Sequence, residues 1–360
     1  MASHLRIGLV GPDQTQPCGI ADYTSRLAAA LAERCNLTFI PFRDALSDPS
    51  LGDCDSILVQ YERSLVPEGF PDRLAVRHPD RVHIVPHEVY DDDPFAFPFA
   101  RLSSPFPPFL WVKRLLYRWR HREYAREKRL QARGYGAHKV IPLSGPGAGI
   151  LRHLAGDRIL DPVPHAMYVP PAARVGIKLG WGAFFPVKPK AILGIFGFLN
   201  PGLDYGSVLD LLVRLDADVS LLILGGPRDG GSVAQWLSGE VAGRGLSSRV
   251  RVTGYLQEGA LDAHLRLCDV FLCPMRFKSN SGSLLHLIHL GKPILASDLP
   301  LTRYLKDLGA PLELYSGPEE LLRKVDAAMS GAHGVPPNRY PWDFGAVADA
   351  YLRILGASRP

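Results

Sequence analysis

The amino-acid sequence predicts an α/β protein made of two successive, Rossmann-like doubly wound domains. Short apolar runs alternate with amphipathic stretches along the chain. The runs are nearly all apolar rather than alternating, the pattern of parallel strands buried on both faces. A Pro-, Gly- and aromatic-rich stretch from Val169 to Pro189 separates two such series. A length of 360 residues suits two cores better than one.

In chain order, the first series of strands is RIGLVG from Arg6, LTFIPF from Leu37, SILVQYE from Ser56, VHIVPHE from Val82 and KVIPLS from Lys139. Between the first two, Ile20, Tyr23, Leu27 and Leu31 recur at helical spacing. The second series is AILGIFGFL from Ala191, SLLILGG from Ser220, VRVTGYL from Val250, VFLCPM from Val270 and PILASD from Pro293. A last helix from Asp343 carries Phe344, Val347, Tyr351 and Ile354 on one face. In doubly wound sheets ligands sit beyond the carboxyl ends of the strands, so residues at those ends are the ones to weigh.

Composition narrows the class. Hydrophobic residues make up 46% and charged residues 21%, a globular profile. No apolar run reaches the roughly eighteen residues of a membrane span. The opening MASHLRIGLVG reads as a first strand rather than a secretory signal, which predicts a cytoplasmic protein. The five cysteines (Cys18, Cys35, Cys54, Cys268 and Cys273) are scattered, with no CxxC and no Cys/His ligand spacing. The net charge of +5 is unevenly spread: between Lys113 and Arg133 nine Lys or Arg face two Glu, interleaved with Tyr117, Trp119 and Tyr124. Segment 111–133 therefore reads either as a contact for an anionic membrane surface or as a solvated helix. Nothing in it resembles a nucleic-acid-binding module.

Three places carry candidate chemistry. In GPDQTQPCGIADYT, from Gly11 to Thr24, Gly19 stands where a loop turns into a helix; its amides can face an anion or a sugar, or the turn is an ordinary one. His87 closes a buried run and precedes Glu88 and the acidic tip Asp91–Asp92–Asp93. At a strand's carboxyl end a His can hydrogen-bond a sugar hydroxyl or a reacting oxygen, or serve only the core. The Asp triplet reads as a solvated loop in preference to a metal site. The most informative stretch is PMRFKSNSGSLLHLIHLGKPILAS, from Pro274 to Ser297. Arg276 and Lys278 bring positive charge, and Ser279, Ser281 and Ser283 surround Gly282 where a helix should begin. This is a candidate diphosphate cradle, with a ligand-free serine cap as the plain alternative. His286 and His289 follow one turn apart, without a third metal ligand.

Several of these segments together resemble the retaining glycosyltransferases of the GT-B fold, the group 1 or family 4 type. They are PCGIADYTSRLAAAL, VQYE (Val59 to Glu62), PHE (Pro86 to Glu88), VPHAMY from Val163, IFGFLNP from Ile195, VTGYL from Val252 and PWDFGAVADAYLRIL. The resemblance implies two Rossmann-like domains facing a central cleft: an acceptor-side domain over 1–186, with helix 341–360 packing back on it, and a donor-binding domain over 187–340. It implies transfer of a sugar from a nucleoside-diphosphate sugar to a glycan, lipid-linked or small-molecule acceptor, with retention at the anomeric carbon, without a cofactor and without a metal.

Carried onto this chain, the resemblance makes His87 and Lys278 the catalytic candidates. Gly19, Asn200, Gly226, Tyr255, Arg276, Ser279, Ser281, Gly282, Ser283 and His286 become donor contacts, and Tyr23 and Glu88 acceptor contacts. Two positions depart from the family pattern. Where the family places two Glu eight residues apart, this chain has Lys278 and His286; where it places an Arg and a Lys beyond the donor-side glycine turn, this chain has Asn200 and Leu203. Lys accepts no hydrogen bond from a sugar hydroxyl. Two accounts follow: Arg276 and Lys278 return the charge lost near Asn200, or the fold persists as a non-catalytic subunit or sugar-binding partner. A nucleotide-sugar epimerase is the third alternative.

Overall fold

The structure, a computed structural model, describes residues 5–13, 18–62, 65–67, 69–87, 89, 138–169, 179–227, 231–276, 278, 280–332 and 334–357. Segment 111–133, Glu88, the Asp91–Asp93 tip and Ser279 lie outside them. The chain divides into two compact units, Met1–Ala166 with Trp342–Pro360, and Met167–Pro341. The first crossing thus falls earlier than the sequence boundary after residue 186.

Among the described residues, unit 1 holds a five-stranded parallel sheet. Its strands are β1 (Arg6–Gly11), β2 (Asn36–Pro41), β3 (Ser56–Tyr61), β4 (Val82–Pro86) and β5 (Lys139–Val140), in the order β2-β1-β3-β4-β5. Helices α1 (Gly19–Ala32), α2 (Phe70–Arg77), α3 (Gly145–Ala155) and α10 (Phe344–Ala357) flank it. Successive strand residues point to opposite faces, so β3 feeds two cores. Ile57 and Val59 join Phe70 and Leu74 of α2, whereas Leu58 joins Tyr23 and Leu27 of α1 and Val347 and Tyr351 of α10. This is why the run reads as continuously apolar. The terminal helix packs on α1, and its face of Val347 and Tyr351 is fully buried.

Unit 2 is a six-stranded parallel sheet of β6 (Ala191–Phe196), β7 (Val219–Leu224), β8 (Val250–Val252), β9 (Val270–Cys273), β10 (Ile294–Ser297) and β11 (Leu312–Tyr315), in the order β11-β10-β9-β6-β7-β8. Its helices are α4 (Tyr205–Arg214), α5 (Ser232–Gly243), α6 (Glu258–Leu267), α7 (Gly282–Leu287), α8 (Pro300–Asp307) and α9 (Pro318–Met329). Leu193, Ile195, Leu221 and Ile223 pack with Val208 and Leu212 of α4, Leu237 of α5 and Val325 of α9. The two doubly wound sheets are the α/β class expected, and all ten sequence-derived strands are present. The missed one, β11, has only four residues, with Glu313 and Leu314 half-buried at the sheet's edge. Among the described residues no helix is long and apolar enough to cross a membrane.

Candidate functional site

Each sheet has one place where strand order reverses, the position beyond the carboxyl ends where doubly wound sheets place a ligand crevice. In unit 2 the reversal lies between β6 and β9, because β7 and β8 continue on one side of β6 and β9 to β11 on the other. The loops leaving these two strands are joined by main-chain bonds. The Asp204 N–H donates to Pro274 O at 2.7 Å and the Arg276 N–H to Gly202 O at 2.9 Å. A neighbouring layer is equally close: Gly197 N–H donates to Leu224 O at 3.1 Å, Leu199 N–H to Gly226 O at 2.9 Å, and Gly225 N–H to the Thr253 hydroxyl at 3.2 Å. The turns after β6 and β7 therefore stack backbone on backbone, and the Thr253 hydroxyl ties the turn after β8 to them. Ser283 reaches the same place, since a Cβ on Gly197 would lie 3.2 Å from its Oγ.

The side chains expected to meet a donor divide into those already engaged and those still available. Asn200 is engaged: its Nδ2 donates to Phe198 O at 2.8 Å and its Oδ1 accepts from Gly202 N–H at 2.9 Å, so it shapes its own turn. Arg276 is paired with Asp204 at 3.1 Å, with both side chains partly in solvent. Burial is the largest influence on Asp204 and pushes its carboxyl up, but bonds from Ser207 and the Arg276 guanidinium together hold it below its ordinary 3.8. Arg276 therefore brings less net charge than the sequence suggests. Ser281 is the N-cap of α7: its Oγ accepts from Leu284 N–H at 3.4 Å and lies 3.3 Å from Ser283 Oγ. The plain alternative for the serines, a helix cap, is thus realised at Ser281. Lys278 is half-exposed and makes no hydrogen bond or ion pair among the described residues.

Aromatic rings frame the rest of this crevice. His286 stacks on Tyr168 at 3.8 Å and 16°, and meets Phe196 edge-on at 5.2 Å. Tyr255 is 58% exposed and lies nearly parallel to Phe198, with ring centroids 6.2 Å apart. Gly226 packs beneath it, because a Cβ there would stand 3.0 Å from Tyr255 N. A large exposed ring on a turn, parallel to a second ring, is a flat apolar platform with no partner to bury it.

In unit 1 the reversal lies between β1 and β3. Gly19 opens α1 beside it; the N-cap, Cys18, gives no side-chain cap, and a Cβ on Gly19 would meet nothing within 4 Å. His87, just past β4, is 7% exposed, and its Nε2 lies 2.9 Å from Gln60 Oε1. Gln60 shares the Leu58 face and is fully buried. With an amide oxygen as partner the His87 Nε2 carries the proton, leaving Nδ1 as an acceptor. Burial pushes the His87 imidazole down to about 3, and His165 nearby adds to this; burial likewise takes His165 to about 4. Both rings are neutral at pH 7, so His87 offers a lone pair rather than a charge.

Tyr23 is buried beside these rings. At 2% exposure it packs against His87 at 5.1 Å, His165 at 4.4 Å and Phe344 at 5.4 Å, forming the floor of this cluster. The sequence reading gave no role to Gln60, His165, Phe198 or Asp204. Gln60 lies in VQYE, a polar residue within a buried strand end, and that is the signal the sequence offers for it. We expect Gln60→Leu to destabilise the chain by about 1–3 kcal/mol in urea unfolding, because it leaves a buried imidazole N–H without a partner. An unchanged midpoint would show that the bond contributes nothing.

Comparisons with known proteins agree on this architecture. Residues 207–329 match the model of the family described as glycosyl transferases group 1. Among solved structures, HepE of Anabaena, determined with UDP and glucose, aligns over 98% of this chain and 100% of its own, at 13% identity and a TM-score of 0.67. The sucrose-phosphate synthase of Thermosynechococcus elongatus gives the same coverage, identity and score. The lipopolysaccharide outer core galactosyltransferase WaaB aligns over 99% and 100%, at 12% identity and 0.64. At such identities these likenesses speak for the fold alone. No curated protein matches the chain.

Proposed function

We propose, for a chain whose residues 207–329 match the group 1 glycosyl transferases and whose fold is GT-B, that unit 2 binds a nucleoside-diphosphate sugar at its strand-order reversal and that the sugar is transferred to an acceptor hydroxyl with retention. The observation that carries this reading is the backbone-on-backbone stacking of the turns after β6 and β7 at the strand-order reversal, with Lys278, unpaired among the described residues, two positions beyond Arg276. Turns without intervening side chains let a diphosphate approach the main chain. The Lys278 ammonium supplies the charge that the Arg276–Asp204 pair withholds, and it stabilises the leaving diphosphate as charge develops. The Tyr255–Phe198 platform suits the flat face of a nucleobase. HepE, in its own crystal, holds UDP and glucose, which fits a uridine donor here.

In unit 1, the neutral His87 accepts a hydrogen bond from a sugar or acceptor hydroxyl through Nδ1. The acceptor proton can leave on the departing phosphate, so the reaction requires neither a dedicated protein base nor a metal. The acceptor is a glycan, a small molecule or a lipid-linked saccharide; the last would draw on segment 111–133, which lies outside the described residues. Lys278→Ala is expected to weaken UDP-sugar binding about 10- to 100-fold by calorimetry, the cost of one charge-assisted contact of about 1.5–3 kcal/mol. One specific observation favours a second reading, a non-catalytic binding subunit: a cation and an imidazole stand where the family has two carboxylates. Binding of UDP-sugar without turnover against any acceptor would select it. No response to any nucleoside diphosphate would overturn both.

A further inference from the structure

We propose that unit 2 carries a second site, for a phosphate ester, at the amino end of its edge strand β11 and so at the end of the sheet opposite the crevice described above. A shallow depression of about 610 Å³, widely open to solvent, lies there, lined by Lys306 at the end of α8, Glu313 of β11, Lys324 of α9, and Pro336, Pro337 and Arg339. This volume is within the range of small-molecule sites, about 300–1,000 Å³. Nothing in the proposed transfer reaction uses it.

The charge distribution indicates what it would take. Lys306, Lys324 and Arg339 line the cavity with Glu313, and with Lys324 paired to Glu320 two cations are left against that one carboxylate. Several arginines elsewhere in unit 2 pair closely with acids, Arg214 with Glu319, Arg266 with Asp262 and Arg303 with Asp298, whereas Arg249 and Arg251 bond main-chain carbonyls. Here the Lys306 and Arg339 side chains make no hydrogen bond or ion pair among the described residues. The Lys324 ammonium is held in place, donating to Leu314 O at 2.6 Å with Glu320 at 3.4 Å. The wall is stiff: two consecutive prolines limit the backbone, and the Arg339 N–H donates to Gly309 O at 2.9 Å, tying that segment to the end of α8. Like charges gathered around a concave surface focus a positive field, which an anion relieves. Glu313 would repel a bare polyanion but accepts hydrogen bonds from hydroxyls. Phosphate at the cations and hydroxyls at Glu313 describe a hydroxylated phosphate ester, free in solution or as a lipid headgroup.

Titration of the full chain with glucose 6-phosphate at fixed ionic strength, followed by calorimetry, tests this, with cosedimentation on phosphatidate vesicles as the second arm. Binding is expected in the native chain and equally in Lys278→Ala, and to fall at least about tenfold in the double variant Lys306→Ala/Arg339→Ala, whose side chains are exposed and whose fold is checked by circular dichroism. Binding of the soluble ester assigns a metabolite. Vesicle binding alone, lost in the double variant, assigns a lipid headgroup. Equal affinity in the double variant, loss only in Lys278→Ala, or binding in neither arm would overturn the site.

Discussion

Acidification from pH 7 to pH 5 is expected to remove about 6 kcal/mol of folding stability, a large share of the roughly 5–15 kcal/mol a domain ordinarily has. Three buried imidazoles of unit 1 produce this. His83, His87 and His165 are at most 9% exposed. Burial takes them to about 4, about 3 and about 4 respectively, against 6.5 in the unfolded chain; Lys139 also disfavours the charge on His83, and the carbonyls of Arg81 and Ala166 offset part of the effect on His83 and His165. Below pH 6.5 the unfolded chain binds protons that the folded chain refuses. Stability therefore falls as the pH drops, and the fall continues until the folded values are reached. Each ring contributes about 1.4 kcal/mol per pH unit, hence about 2 kcal/mol by pH 5.

The paired carboxylates titrate in another window: Asp204 and Asp298 are both held below 3.8. Urea midpoints measured from pH 7.5 to pH 5 should fall continuously, and His83→Gln should remove about a third of the slope. A flat profile would mean that these rings are hydrated or paired in solution.

The two halves of this result were not equally legible in the sequence. The strands were, because burial on both faces writes a continuous apolar run, as in SILVQY, whose every residue is buried. The reversal points followed less directly: strand order depends on which helices cover which face, and no run states that. Side-chain pairing was the least legible. Arg276 and Asp204 are 72 positions apart, and their contact exists only because two loops meet at the β6–β9 reversal. Read alone, Arg276 is a phosphate ligand; beside Asp204 it is half of an ion pair, worth about 0–1 kcal/mol at this exposure. Tyr23 shows the same limit, since its helical spacing fixed a buried face but not that the face would close over its hydroxyl end.

The turn after β7 allows a sharper test of the unit 2 crevice. Gly225 has φ +154, a conformation side chains rarely adopt, and a Cβ there would fall inside the radius of the Gly197 carbonyl oxygen. Both obstacles are backbone, so no rotamer relieves them; one turn must move, together with the bonds from Gly197 N–H to Leu224 O and from Gly225 N–H to Thr253. Gly225→Ala should therefore cost about 2–5 kcal/mol, strain and overlap together. Gly231, with φ +91 and nothing within 4 Å of its Cβ position, isolates the first contribution. Gly231→Ala should cost only about 1 kcal/mol and leave nucleotide affinity unchanged. If the stacked turns form the diphosphate seat, Gly225→Ala at a temperature where it stays folded should bind UDP at least about tenfold more weakly, while Gly231→Ala binds like the native chain. Equal affinities would move the nucleotide away from these turns and remove the support for the donor assignment.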